Sequence, residues 1–303
     1  MDAQLHKIAS LALEAMLCEV SATPKPGLVD RFNCGAHRDM DFFTFMASAA
    51  ALHSTFDDMT SAGYSASLSP PTMWPELRRA GREAESLMFE ATHGVNTHKG
   101  EIFSLGLLCG CAGWLAGREE VLSAEKLTAL AAEMCRGLCE RELVRLRKGE
   151  ARTKGEQMFL RYGCTGIRGE AESGFRTVME VSLPVFRELM IEAQGDRDPM
   201  SPPAPRAERV SLNDALVQTL LHLIAGTADT NILSRHNMET AEYARGRARE
   251  VLALGGFLTA EGRLATEAMD RDFIARNISP GGCSDLLAVT YFLFRIEARE
   301  AEK

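Results

Sequence analysis

Along most of this chain apolar residues recur at spacings of three and four, and nowhere do β-branched residues alternate with polar ones over the length of a strand. Leu5, Ile8, Ala9, Ala12, Ala15, Met16 and Val20 fall on one helical face and predict a helix over 5–20. The same period predicts helices over about 41–52 and about 75–89. Residues 99–117 are apolar all round, which predicts a central helix enclosed by protein. Ser123 is placed to cap the helix that follows, with Lys126 and Leu127 behind it. Thr153 with Glu156 and Ser211 with Asp214 have capping-box spacing. The first predicts a short helix closed by Gly163, with the polar run after it a loop, and the second a helix to Ala225. Periodicity returns over 239–254 and 284–299. The expected class is all-α, a single multi-helix globular domain over 1–303.

Two stretches break the pattern, 61–75 and 194–209, the second with Pro199, Pro202, Pro203 and Pro205. Proline at that density excludes helix, so 194–209 is expected to be a mobile surface loop joining two helices of one core. No internal repeat is visible.

Composition narrows the function more than the fold. The chain has 303 residues, 46% hydrophobic and 25% charged, with 34 Lys and Arg against 42 Asp and Glu for a net charge of −8. That balance argues against a broad basic face for nucleic acid or anionic membrane, so an anionic ligand must meet a local cationic pocket. The first residues lack the basic start and apolar run of a signal peptide. The longest uncharged stretch, 102–117, is shorter than a membrane span and carries four glycines. Eight scattered cysteines make no disulfide framework, and the expected compartment is the cytoplasm.

Familiar catalytic spacings are missing: there is no G-x-x-x-x-G-K-[ST], no G-x-G-x-x-G, no G-x-S-x-G and no H-E-x-x-H. His93 and His98, five apart, do not share a helix face as a zinc pair would, and Cys135 with Cys139 reads as two core thiols. What the chain does contain is five polar islands set between apolar helices. Residues 19–31 form a proline-stiffened turn that presents Lys25 and Arg31 with Asp30. Residues 94–100, with Asn96, Thr97, His98 and Lys99, directly precede the central helix and suit an anion at a helix N-terminus. Residues 165–174 offer Arg168, Glu170 and Glu172. Residues 226–235 offer Asp229, Asn231 and Arg235, and 277–285 run from Ser279 through Gly281 and Gly282 to Asp285. Singly, each reads first as helix caps and turns. Together, carboxylates that suit Mg²⁺ and cations that suit phosphate point to a magnesium-nucleotide or polyphosphate pocket formed by inter-helix loops.

In sequence and order these islands resemble the motifs of the triphosphoribosyl-dephospho-CoA synthases: TPKPGLVDR (23–31) with GAHRDM (35–40), GVNTHKG (94–100), GIRGEAESG (166–174), DTN (229–231) and SPGG (279–282). The resemblance spans nearly the whole chain. It implies a helical pentosyltransferase that joins ATP to 3′-dephospho-CoA, releasing adenine and leaving a triphosphoribosyl group α-linked to the 2′ oxygen. The product is a precursor of the prosthetic group that a separate holo-carrier-protein transferase attaches to the acyl carrier protein of citrate lyase or malonate decarboxylase. Because ATP is cut at its glycosidic bond, its triphosphate is a handle and no P-loop is needed.

The resemblance also implies roles. Inversion at C1′ calls for a carboxylate to take the proton of the attacking hydroxyl and a donor for departing adenine. Asp229, Glu170 and Glu172 are the candidates for base and Mg²⁺ ligands, with His98 a candidate proton donor or, equally, a helix-entry hydrogen bonder. Lys25, Arg31, Lys99, Arg168 and Arg235 would bind phosphates, with Asn96, Thr97, Asn231, Ser279, Gly281 and Gly282 lining the ATP site. One departure stands out: after Arg235 the family pattern has two glycines, whereas this chain has His236-Asn237, which puts the local turn in doubt if it needs positive φ. Two other readings remain open at this level. One is a helical Mg²⁺-dependent hydrolase of nucleotides or ADP-ribose; the other is a helical adaptor for an acyl carrier protein. Whether the chain forms a homodimer is not legible.

Overall fold

The computed structural model describes residues 2–66, 69–147, 149–194 and 210–301. Thirteen α-helices and no strand occur among the described residues. They are α1 (Asp2–Ser21), α2 (Phe42–Ser65), α3 (Trp74–Ala91), α4 (Lys99–Ala116), α5 (Ala124–Cys135), α6 (Lys154–Tyr162), α7 (Gly166–Glu172), α8 (Leu183–Gln194), α9 (Leu212–Gly226), α10 (Thr230–Arg235), α11 (Met238–Ala253), α12 (Ala260–Ala275) and α13 (Gly281–Ala301). None is long and apolar enough to cross a membrane.

The start signals act as the spacing predicts. Ser123 Oγ accepts from Lys126 N, and Thr153 and Ser211 close full capping boxes with Glu156 and Asp214. Gly163 ends α6 at φ +73°. Elsewhere the structure corrects the sequence reading. Residues 166–172, expected as loop, form α7, held from outside by α4 and α5 against the buried Ala171. Helix α2 runs on to Ser65. Pro70 and Pro71 open a single 3₁₀ turn, and Pro75 sits in the first turn of α3, where a missing N–H leaves no hydrogen bond unmade. His236 (φ −134°) and Asn237 (φ −153°) need no left-handed turn, because Asn237 is simply the N-cap of α11. The expected loop at 194–209 lies, beyond Gln194, outside the described residues.

Helix α4 is the axis of the first half and touches α1, α2, α3, α5, α7 and α13. Its glycines set the spacing to α2: a Cβ on Gly113 would overlap Thr60 O, and one on Gly63 of α2 would overlap Gly110 O. Helix α13 is the second axis, contacting α1 and α4 on one side and α8, α9 and α10 on the other. A single apolar cluster runs through both halves, from Ile8 on α1 to Ile296 on α13. At one end of these axes the chain entries to α4, α6, α7, α10 and α13 come together around an open cavity of about 980 Å³.

Candidate functional site

Helix starts dominate the cavity wall. Asn96, Lys99 and Gly100 enter from α4, Arg152 to Gly155 from α6, Thr165 to Arg168 from α7, Asp229 to Asn231 from α10, and Gly282 with Asp285 from α13. Each entry turns backbone N–H groups and the positive end of a helix dipole toward one space. Trp74, Leu77, Ile102, Phe103 and Leu286 supply an apolar side. Among the described residues lining the cavity, seven are Lys or Arg and five are Asp or Glu, the reverse of the balance over the chain. Arg78 and Arg168 share Glu142, and Lys99 Nζ bonds Glu85 Oε2 at 2.6 Å. Arg82, Arg152 and Lys154 line the same wall and have no ion-pair partner among the described residues.

Of the residues picked out by sequence, the cavity gathers Asn96, Lys99, Arg168, Glu170, Asp229, Asn231 and Gly282. Gly281 lies just behind, where a Cβ would come 2.7 Å from Asn231 Nδ2. Lys25 is not on the wall: it is buried and ion-paired with Glu19, which also accepts from Ser284 Oγ. The turn that carries it is wrapped around Asp30, which takes Thr23 Oγ1, Lys25 N, Phe32 N and Asn33 N at 2.7 to 3.1 Å. Arg31 points away to Asn213 Oδ1 at 3.2 Å. Arg235 reaches Ala36 O and His37, whose Nε2 bonds Ser279 Oγ at 3.0 Å. Thr97 Oγ1 bonds Ser48 Oγ at 2.8 Å. These side chains brace loops outside the cavity.

His98 is fully buried at the entry of α4, with Nδ1 2.7 Å from Ser48 Oγ and its ring edge-on to Phe45. Its Nε2 has no partner. Burial, helped by the charge of Lys25, pushes its pKa down to about 3, so it is a neutral ring off the cavity.

The carboxylates divide sharply by how their oxygens are used. Glu172 takes Gly137 N at 2.7 Å and Cys139 N at 2.8 Å. Burial works to raise its pKa, and the bonds at Cys139 and Gly137 outweigh it and hold the group below the usual range. Glu170 takes the hydroxyl and the N–H of Thr177; burial holds it above the usual range. Asp229 is the N-cap of α10, with Oδ1 accepting from Asn231 N (2.7 Å) and Ile232 N (3.1 Å), while Oδ2 accepts from Cys283 N at 2.8 Å. Burial raises it, and those N–H groups partly offset the rise.

As a protein-built magnesium cage the set Glu170, Glu172 and Asp229 does not fit. Among the described residues these three do not bring ligand atoms within 4.8 Å of one another, and their oxygens are occupied by N–H and O–H donors. A magnesium ion here would arrive with the phosphates, for which one or two protein oxygens suffice.

Three further acids, which no motif in the sequence singles out, belong to the site. Asp285, the last residue of the 277–285 island, lies on the wall and makes no hydrogen bond or ion pair among the described residues. Glu101 and Glu19 sit behind it. Glu101 is buried with Oε2 unpartnered, and burial, then Glu19 and Asp285, raise its pKa well above the usual range. Arg152 and Lys154 carry a signal in the sequence: they flank Thr153, the capping residue at the start of α6, on the cavity wall.

Residues 5–303 match the family described as CitG, ATP:dephospho-CoA triphosphoribosyl transferase. A 2-(5″-triphosphoribosyl)-3′-dephosphocoenzyme-A synthase of Escherichia fergusonii is 42% identical over 291 residues, 96% of this chain and 91% of that protein. One of the same name from Klebsiella pneumoniae is 43% identical over 289 residues, 95% of this chain and 90% of the relative. A Vibrio cholerae protein given as a probable enzyme of that name is 40% identical over 290 residues, 95% of this chain and 88% of its own length. No solved structure matches the chain. With nearly its whole length matched, the chain belongs to the ATP:dephospho-CoA triphosphoribosyl transferase family.

Proposed function

We propose that this chain is a single-domain synthase that transfers the triphosphoribosyl group of ATP to the 2′ hydroxyl of 3′-dephospho-CoA and releases adenine. The observation that carries the reading is the convergence of five helix entries and seven cationic side chains on one cavity in an acidic protein. Polyanions are what such a wall holds, and both substrates are polyanions. Its volume of about 980 Å³ is at the upper end for small-molecule sites, as two nucleotides side by side require.

The cavity offers both cationic and acidic groups. Arg82, Arg152, Lys154 and Arg168 form a cationic wall for the triphosphate, whose charge is the largest in either substrate. Asp229 and Asp285 on the same wall suit the sugar carbon, where positive charge develops as the glycosidic bond loosens. With the triphosphate on the cations and the ribose beside the acids, C1′ is left open to a hydroxyl approaching from the face opposite adenine. A single displacement then inverts the configuration. Magnesium is the expected companion of the triphosphate, and its chemistry there is charge neutralisation. The product serves as precursor of the prosthetic group on the acyl carrier protein of citrate lyase or malonate decarboxylase, attached by another enzyme.

The test is adenine release from ATP and Mg²⁺ with and without 3′-dephospho-CoA, followed by the mass of the coupled product. Release that depends on dephospho-CoA, with the triphosphoribosyl adduct formed, supports the synthase. Release without it indicates a nucleoside-bond hydrolase, and no release with both substrates ends the enzyme reading.

A further inference from the structure

Resting on the synthase reading, we propose that Asp285 is the general base, the carboxylate that takes the proton from the attacking 2′ hydroxyl. A base needs a lone pair open to the substrate side. The other candidates already hold donors on both oxygens. Both oxygens of Asp229 cap N–H groups of α10 and α13, both of Glu170 hold Thr177, and both of Glu172 hold the 137–139 turn, away from the cavity. Asp285 lies on the cavity wall and has neither a hydrogen bond nor an ion pair among the described residues.

The fold makes room for this carboxylate. It rises from the start of the second turn of α13 against the first turn of α4, where a Cβ on Gly100 would overlap Oδ2 and come within 2.9 Å of Oδ1. The opening of α4 as K-G-E therefore leaves a notch that an alanine would close. Acids face Asp285 from three sides: Glu19 of α1, Glu101 of α4 and Asp229 at the entry of α10. Lys25, the one buried cation of the group, is taken by Glu19. Burial first, then Asp229 and Glu19, hold Asp285 well above the ordinary carboxylate range, which makes it a stronger base than a solvated aspartate.

The step balances. The 2′ oxygen of dephospho-CoA forms a bond to C1′ as its proton passes to a carboxylate oxygen of Asp285. The C1′–N9 bond breaks, and its electron pair leaves on adenine. Adenine takes a proton from solvent on its own face, Asp285 gives up its proton to solvent, and the carboxylate is restored. No oxidant, reductant or further reactant is needed.

The experiment compares wild type with Asp285→Asn in the adenine-release assay at saturating ATP, Mg²⁺ and 3′-dephospho-CoA, with Tm measured on both. Asparagine keeps the shape and removes the proton acceptor. A kcat lowered by about 100-fold or more, KM values within about threefold and an undiminished Tm support the assignment. So does loss of the acid limb of the kcat/KM profile against pH. A kcat within about threefold of wild type overturns it. So does recovery of the variant by excess Mg²⁺ or Mn²⁺, which would make Asp285 a metal ligand. A wild-type enzyme that releases no adenine overturns the synthase reading itself, and this assignment with it.

Discussion

Gly100 on α4 and Asp285 on α13 occupy a space that has no room for a methyl group: a Cβ on the first would overlap Oδ2 of the second. Alanine is the better helix former by about 1 kcal/mol, so propensity alone favours Gly100→Ala. Contact decides otherwise. The carboxylate must rotate or α13 must shift by about 1 Å, and misplacement on that scale lowers turnover by about 100-fold in a site built on positioning. The expected outcome is a fall in kcat of that order with Tm within about 3 °C, since the clash and the propensity gain oppose each other. Unchanged turnover would mean that the carboxylate does not need this notch.

Lys25 separates a structural from a ligand-binding role. Its ammonium is buried and paired with Glu19, which has Ser284 as its other donor. Removing one partner of a buried pair leaves the other charge uncompensated, at a cost of about 3–5 kcal/mol. Lys25→Met should therefore lower the urea midpoint of unfolding strongly. A variant with the wild-type midpoint and a raised KM for ATP would instead restore Lys25 as a phosphate contact.

That residue also shows where the sequence stops being legible. Helix existence was readable because α1, α4, α9 and α13 bury continuous apolar faces, and α9 also carries the capping box of Ser211 with Asp214. Helix α7 was not, because a seven-residue stretch of glycine and charge has no periodicity of its own and is shaped by α4 and α5. The islands were readable as a group. Their individual roles were not, because a charged residue in a turn can face the cavity, like Arg168, or pin a loop, like Arg235 on Ala36 O. Only distance tells Asp229, whose oxygens are taken by three N–H groups, from Asp285, whose oxygens are free.

Arg152 and Lys154 line the cavity without an ion-pair partner among the described residues, while Arg31 lies off it on Asn213. Charge-assisted contacts to phosphate are worth about 1.5–3 kcal/mol when shielded and less at an exposed rim. Arg152→Ala and Lys154→Ala should each raise KM for ATP by about 5- to 10-fold at low salt, with a smaller effect at high salt. Arg31→Ala should leave it within about twofold. Steady-state KM at two ionic strengths checks this, and equal effects from all three variants would remove the cationic wall from triphosphate binding.

His98 gives a pH dependence with a definite sign. In the fold its pKa is pushed down to about 3 by burial and by Lys25, whereas an unfolded histidine titrates near 6.5. Between those values the unfolded chain binds more protons at this position, so its contribution to stability is complete above about pH 6.5 and is lost as pH falls toward 3, by at most about 1.4 kcal/mol per unit. The buried acids act in the opposite sense. Glu101, raised by burial and its acidic neighbours, stays protonated in the fold where the unfolded chain would ionise, so it favours the fold as pH drops from neutral. The total curve mixes the two, and the comparison that isolates the histidine is wild type against His98→Asn in urea. Asparagine can still bond Ser48 and has no proton to gain, so the variant should gain on wild type steadily from about pH 6.5 to 4.5. A neutral ring off the cavity does not protonate adenine, so His98→Asn should keep kcat within about tenfold. A gap in stability that stays flat over that range would show that the ring is charged in the fold, and a loss of turnover by about 100-fold would return it to the mechanism.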